Sequence, residues 1–330
     1  MRFLGGLGAT LALAALPLAG VNTYQLHVAS LIAVYWILIA GLNVVVGYSG
    51  QISIGHVGLL AIGAYVFAAL AGTHDVNPWL ALIASGLAGG LCGLLLGLPS
   101  LRLPGFYFAM ATLAFSLIVG ELALGLGDLT GGGVGLAVPG FPPPFASPAG
   151  FYELSLALAA LTTWLTWNVA RQLWGRALLA VRDSPVAAAG AAISVYRMKL
   201  TVFVFSGVTA GVAGGLFASL QSYITPDTFA FDIGMFFFVC IIIGGRGGVV
   251  GPLLGTVVLT LLPEVVAPLA RLGNFFYGLL LLAVVLLMPE GIGPLLAAIA
   301  ARLTRRGRPE SRVVSPDLDR LRAALADEPR

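Results

Sequence analysis

Apolar residues run through this chain in long blocks, separated by short polar or glycine- and proline-rich stretches. A bilayer core is crossed by roughly 20 apolar residues, and with shorter broken pieces accepted the blocks predict about ten membrane helices. The spans read as 4–20, 27–46, 56–72, 79–98, 105–125, 151–170, 200–222, 233–244, 248–262 and 275–288. The eighth and ninth are short for separate crossings. The first follows Met1-Arg2 and has the look of a signal peptide, but Pro17 to Gly20 is a weak cleavage context and favours a retained helix.

One block departs from a plain anchor. From Gly41 to Tyr65, GLNVVVGYSGQISIGHVGLLAIGAY, glycine and polar residues interrupt an otherwise apolar run. Irregular backbone at membrane depth is tolerated only where protein buries it or a cavity solvates it. Gly47, Gly50 and Gly55 permit unwinding, and Tyr48, Ser49, Gln51, Ser53 and His56 supply hydrogen-bonding groups. A discontinuous helix of this kind points to a transporter's substrate pathway. The alternative is a small-residue packing face whose polar groups bond to neighbouring helices. A second broken run, MFFFVCIIIGGRGGVVGPLLGTVVL from Met235 to Leu259, sits in the other half. Two interrupted segments in corresponding halves predict duplicated architecture around a central path, with Gly244 and Gly245 as further pathway candidates. Arg246 either snorkels to the cytoplasmic boundary or faces the cavity.

Composition agrees with the pattern. Hydrophobic residues make up 59% of the 330 residues and charged ones 9%, far below the ~25% of a soluble domain. The fold class is therefore an all-α polytopic membrane protein, with Gly-broken segments in each half. Cys92 and Cys240 lie in apolar stretches and read as small core residues. The net charge of +3 is topology information and not a nucleic-acid footprint. Arg171, Arg176, Arg182, Arg197 and Lys199 crowd one loop, and the tail carries Arg302 through Arg330, so both regions and both termini should be cytoplasmic. The loops bearing Asp75 and Asp128 lack lysine and arginine and face the other side. The permease domain covers 1–300, with an inner loop at 171–199 and an outer loop at 126–150, followed by a charged cytoplasmic tail at 301–330. The outer loop is rich in Gly and Pro and reads as a semi-rigid lid or as a solvated connector.

In the inner loop, Ser184-Pro185 is a good helix start, and Val186 to Ile193 forms a short alanine-rich helix. Such a helix suits a groove on another protein, or else lies on anionic lipid through Arg171, Arg176 and Arg182. No phosphate-binding glycine loop occurs, so this chain does not hydrolyse ATP by itself. The apolar segments hold few acids, with Glu121 and Glu264 near predicted helix ends, unlike the several buried carboxylates of coupled ion carriers. His27, His56 and His74 are scattered without ligand spacing.

The run from Gly41 to Tyr65, then LRLPGFYFAMATLAFSLIVGE, LTGGGVGL, GRALLAVRDSPVAAAGAAISVYRMKL and IIIGGRGGVVGPLLGTVVL, closely resembles the LivM-type permease of branched-chain amino-acid ABC importers. The matches occur in family order and extend from Gly41 to about Pro294. The resemblance implies a multi-pass subunit of the cell inner membrane, importing leucine, isoleucine and valine and catalysing nothing itself. It implies a second, LivH-type permease, two cytoplasmic ATPase subunits that bind ATP and magnesium, and an extracytoplasmic substrate-binding protein. Membrane lipid surrounds the whole and no nucleic acid takes part. Within the inner loop it implies an ATPase-coupling helix, with Gly175, Arg176, Arg182, Asp183, Ser184, Pro185 and Ala188 as its candidate residues. This chain departs from the family in its AAGAAIS run at Ala188 to Ser194 and in having Arg246. Urea and short-chain amide importers use closely similar permeases, which keeps those solutes as alternatives.

Overall fold

The computed structural model describes residues 20, 22–99, 103, 105–245 and 247–266. The predicted spans 4–20 and 275–288, the tail at 301–330, Arg246 and the Glu264 side chain lie outside the described residues.

Helix α1 runs over Thr23–Asn43 and ends in a π-helical turn, Val44–Tyr48. After an irregular stretch, α2 covers His56–Phe67 and closes with a second π-helical turn, Ala68–Thr73. Then come α3 (Pro78–Gly97), α4 (Gly105–Gly125), the one-turn α5 (Gly127–Thr130) and strand β1 (Leu136–Ala137). Next are α6 (Pro148–Arg171), α7 (Leu173–Asp183), the short α8 (Pro185–Gly190) and the long α9 (Val195–Gln221). Strand β2 (Tyr223–Ile224) and a 3₁₀ turn (Pro226–Phe229) lead to α10 (Phe231–Gly244) and α11 (Val250–Val266).

Six of these segments are long and apolar enough to cross a membrane: Thr23–Tyr48, His56–Thr73, Pro78–Gly97, Gly105–Gly125, Val195–Gln221 and Pro226–Gly244. The chain is a multi-pass membrane protein. Several helices start at an Asx/Ser-Pro pair. Asn77 accepts from the Trp79 amide at 3.0 Å and Ser147 from the Gly150 amide at 3.1 Å, each followed by a proline in the first turn, where its missing N–H costs nothing.

Helix α9 is the hub, packed against α1, α2 and α3. Its contact with α3 is backbone on backbone. A Cβ at Gly207 would lie 2.2 Å from the Gly89 carbonyl oxygen, and one at Gly211 2.2 Å from that of Ser85. Gly89-xxx-Gly93 thus faces Gly207-xxx-Gly211, the small-residue packing that lets membrane helices approach closely where lipid is as apolar as their side chains. The opposite face of α3 carries Leu80, Ile83, Leu87, Leu91 and Leu95, all exposed at helical spacing, as suits contact with acyl chains. Trp36 Nε1 donates to Thr163 Oγ1 at 2.7 Å and ties α1 to α6.

The outer loop is docked and not a free connector. Strand β1 pairs antiparallel with β2, Leu136 opposite Ile224 and Ala137 opposite Tyr223, and the Tyr223 hydroxyl donates to the Val134 carbonyl. Phe141 packs with tilted rings against Phe67, Trp79 and Phe151, centroids 5.1 to 6.1 Å apart. Within the predicted loop 171–199 the last residues are helical. Helix α9 already begins at Val195, capped by Ser194 accepting from the Arg197 amide, so Arg197 and Lys199 belong to its first turns.

Candidate functional site

The break in the first half is real in the backbone. The π-helical turn Val44–Tyr48 widens the end of α1, Ser49 donates to the Val45 carbonyl at 2.8 Å, and Gly50 turns the chain at φ +71°. A left-handed φ at this point is open to glycine and strained for most other residues. Gln51 to Ile54 then run without regular structure until His56 starts α2.

This irregular stretch is braced from three sides. On one, the Ile54 amide donates to Thr112 Oγ1 of α4 at 3.1 Å, and a Cβ at Gly55 would sit 1.9 Å from the Thr112 carbonyl oxygen. On the second, His56 bridges two hydroxyls: Nδ1 lies 2.8 Å from Ser53 Oγ, and Nε2 lies 2.6 Å from Ser206 Oγ on α9. All three side chains are buried. A neutral imidazole donates through one ring nitrogen and accepts through the other, so both hydroxyls are satisfied without a charge. On the third side lies the break of the second half. Asn43 Nδ2 donates to the Gly248 carbonyl at 2.7 Å, and its Oδ1 accepts from the Gly247 amide at 3.4 Å.

The two interrupted segments, separate in sequence, therefore meet. Gly47 packs so closely on the second break that a Cβ there would lie 2.6 Å from the Gly247 nitrogen. Gly244 and Gly245 shape that second break. Gly245 ends α10 at φ +90°, and a Cβ on Gly244 would fall 2.3 Å from the Gly251 carbonyl oxygen, where α11 folds back against α10.

Of the loop candidates between 171 and 199, Arg182 reaches the same place. Ser184 accepts from the Ala187 amide at 3.2 Å with Pro185 in the first turn, so α8 starts where the sequence places it. Gly175 makes the tight step from α6 to α7: a Cβ there would lie 2.2 Å from the Ala170 carbonyl oxygen. Arg176 is exposed and Asp183 accepts from Arg182 Nε at 3.3 Å. Arg182 Nη1 donates to the Gly47 carbonyl at 2.8 Å, joining the end of α7 to the first break. Ala188 lies on the inward face of α8. It is 2% exposed and turned toward this chain's own helices, whereas Val186 is 84% exposed. Six residues of helix are too few for a sequence periodicity to decide which face is buried.

Tyr48, Ser49, Gln51, Ser53 and His56 are all buried, so the break is packed. Asn43, Thr112 and Ser206 complete it and were not singled out by sequence. Asn43 offered a signal, an amide within a long apolar run; Thr112 and Ser206 look like any back-bonding hydroxyl of a membrane helix. Among the described residues no group of three His, Cys, Asp or Glu side chains is placed to hold a metal ion.

Residues 24–285 match the family described as branched-chain amino acid transport system permease component. The chain is 32% identical over 302 residues to the high-affinity branched-chain amino acid transport system permease protein LivM of Escherichia coli (strain K12), covering 83% of this chain and 71% of that protein. LivM of Salmonella typhimurium matches with the same identity and coverage. The autoinducer 2 import system permease protein LsrC of Enterobacter sp. (strain 638) is 30% identical over 250 residues, 72% of this chain and 70% of that protein. No solved structure matches.

Proposed function

The chain belongs to the family of permease components of branched-chain amino acid transport systems, and from that premise we propose that it is the membrane-spanning subunit of an ATP-driven importer of leucine, isoleucine and valine. The observation that supports the mechanism is the meeting of the two breaks, with the Arg182 side chain bonded to the first of them.

In this reading the chain lies in the cell inner membrane with about ten helices and both termini cytoplasmic. The end that carries α7 and α8 faces the cytoplasm, and the docked outer loop faces the binding protein. A LivH-type permease completes the pathway, and two ATPase subunits supply ATP binding and hydrolysis with magnesium. The loaded binding protein delivers solute outside. Closure of the ATPases then moves α7 and α8, and the broken segments open between Gly47, Ser53 and His56 on one side and Gly244 and Gly245 on the other. Breaks that expose backbone carbonyls and amide groups suit brief solvation of a zwitterion, and the site needs little affinity, since selectivity resides in the binding protein. A small neutral solute of another kind, such as urea, a short-chain amide or the autoinducer 2 class, is the second reading; the likeness to LsrC favours its last member.

Purification of the tagged chain from its native host tests the assembly. Recovery of two nucleotide-binding proteins and a second permease is expected; recovery of the chain alone in active form would point to a stand-alone carrier. The exposed face of α8 is where the ATPase should dock, and two substitutions separate docking from folding. Val186→Glu places a charge on an 84% exposed position, which should leave accumulation within about 0.5 kcal/mol of wild-type stability and lower uptake roughly tenfold by spoiling an apolar docking groove. Ala188→Glu instead buries an unpaired charge, at a cost of order 3–5 kcal/mol, and should lower the amount of folded chain in the membrane. Quantitative immunoblotting of membranes beside uptake assays reads both.

A further inference from the structure

Arg182 does more than present charge at the cytoplasmic face. The carbonyl of Gly47 lies in the last turn of α1, where helical carbonyls run out of N–H partners. Arg182, from a helix 135 residues further on, fills that vacancy at 2.8 Å with a charged donor, and a positive group at a helix C-terminus is also favoured by the helix dipole. The stem of the same side chain occupies the notch beside Gly50: a Cβ on Gly50 would fall 2.4 Å from Arg182 Cγ. The guanidinium also borders the second break, since a Cβ on Gly247 would lie 3.7 Å from Nη1. On its outer side, Nε is tied to Asp183 at 3.3 Å, and the Arg182 side chain is 39% exposed, within reach of a partner.

We propose that Arg182 is the latch of the inner gate, a positioning residue that holds the end of α1 shut against the loop between α10 and α11 until movement of α7 withdraws it. This rests on the coupling role proposed above. The latch explains why an arginine and two glycines meet here. The forked, rigid donor reaches the carbonyl while its apolar stem fits only where position 50 has no side chain. Withdrawal of α7 by a few ångström breaks the bond to Gly47 and empties the Gly50 notch together, so a small displacement at the cytoplasmic face releases both breaks.

The test reads gate closure directly and needs neither the solute nor ATP. Cys92 and Cys240 are replaced by alanine, a single cysteine is placed at Ser49, and its modification by a small water-soluble methanethiosulfonate is timed in membranes holding the full complex. Ser49 is buried beside the latch, so the Arg182 parent should react slowly. With Arg182→Ala the rate should rise at least tenfold, while a cysteine at Ser155, buried in α6 away from the gate, stays inert in both. Arg182→Gln, which keeps most of the stem and drops the charge, is read the same way where the alanine variant fails to fold. An unchanged rate at position 49 overturns the proposal, as does a parallel rise at position 155, which would make Arg182 a general structural contact. Failure of leucine import with the rate change present would revise the solute and leave the latch in place.

Discussion

Gly207→Val is expected to abolish accumulation of the folded chain. A Cβ at position 207 would lie 2.2 Å from the Gly89 carbonyl oxygen and 3.0 Å from the Gly93 Cα, and both obstacles are backbone. No rotamer change relieves the contact, so α3 and α9 must separate along the whole Gly89/Gly93 and Gly207/Gly211 seam. Overpacking of a tight site costs about 1–3 kcal/mol where side chains give way, and more where backbone must move. The loss also spreads, because the other faces of α9 seat α1 and α2. Gly120→Val is the control: it is another mid-helix glycine, but nothing lies within 4 Å of its built Cβ. Gel filtration of detergent extracts should show the monodisperse peak of Gly207→Val reduced at least tenfold and that of Gly120→Val close to wild type. Equal peaks would mean that the α3–α9 seam is looser than this geometry.

His56→Leu should remove both stability and transport. Leucine keeps the bulk but leaves Ser53 and Ser206 without the imidazole, and an unsatisfied buried polar group costs roughly 1–3 kcal/mol. The two hydroxyls do not suffer equally. Ser206 sits in the middle of α9 and can turn to a carbonyl one turn earlier, as Ser30 and Ser85 do at 2.8 Å in their own helices. Ser53 lies in irregular backbone and has no such carbonyl ladder beneath it. Thermal unfolding should therefore show a clear drop in midpoint for His56→Leu, with more of it recovered by adding Ser53→Ala than by adding Ser206→Ala. An unchanged midpoint would show that water already satisfies the pair, and equal recovery would remove the distinction between helix and break.

Much of the architecture was legible because bilayer crossing is a matter of length. Span 105–125 coincides with Gly105–Gly125, and 56–72 and 79–98 lie within a residue or so of His56–Thr73 and Pro78–Gly97. Long apolar runs leave few alternatives, and Asx/Ser-Pro pairs mark several starts. Helix α9 starts five residues before the predicted span at 200, because Arg197 and Lys199 look like loop. In a helix end their long stems can lie along apolar surface while the charged heads reach water, and the Ser194 cap carried the better signal. Strands of two residues leave no periodicity, so the clasp of β1 on β2 was invisible. Both breaks were legible from their glycines. Their meeting was not: Asn43 bonds to residues more than 200 positions away, and Arg182 to one 135 away. A single sequence offers no local pattern from which such pairings follow.

The irregular backbone has polar support from well separated parts of the chain. Asn43, His56 and Arg182 each bond across the break to a different element, so the irregular backbone is held by three polar clamps.

Import into sealed vesicles is the most direct test of the function. The chain, its co-purified permease and ATPases are reconstituted with ATP and magnesium inside, and the binding protein and labelled leucine outside. Leucine uptake is expected that requires both ATP and the binding protein and that is competed by isoleucine and valine but not by urea. Uptake by this chain alone, or an assembled complex that moves urea and leaves leucine outside, would contradict the assignment as a branched-chain amino-acid importer subunit.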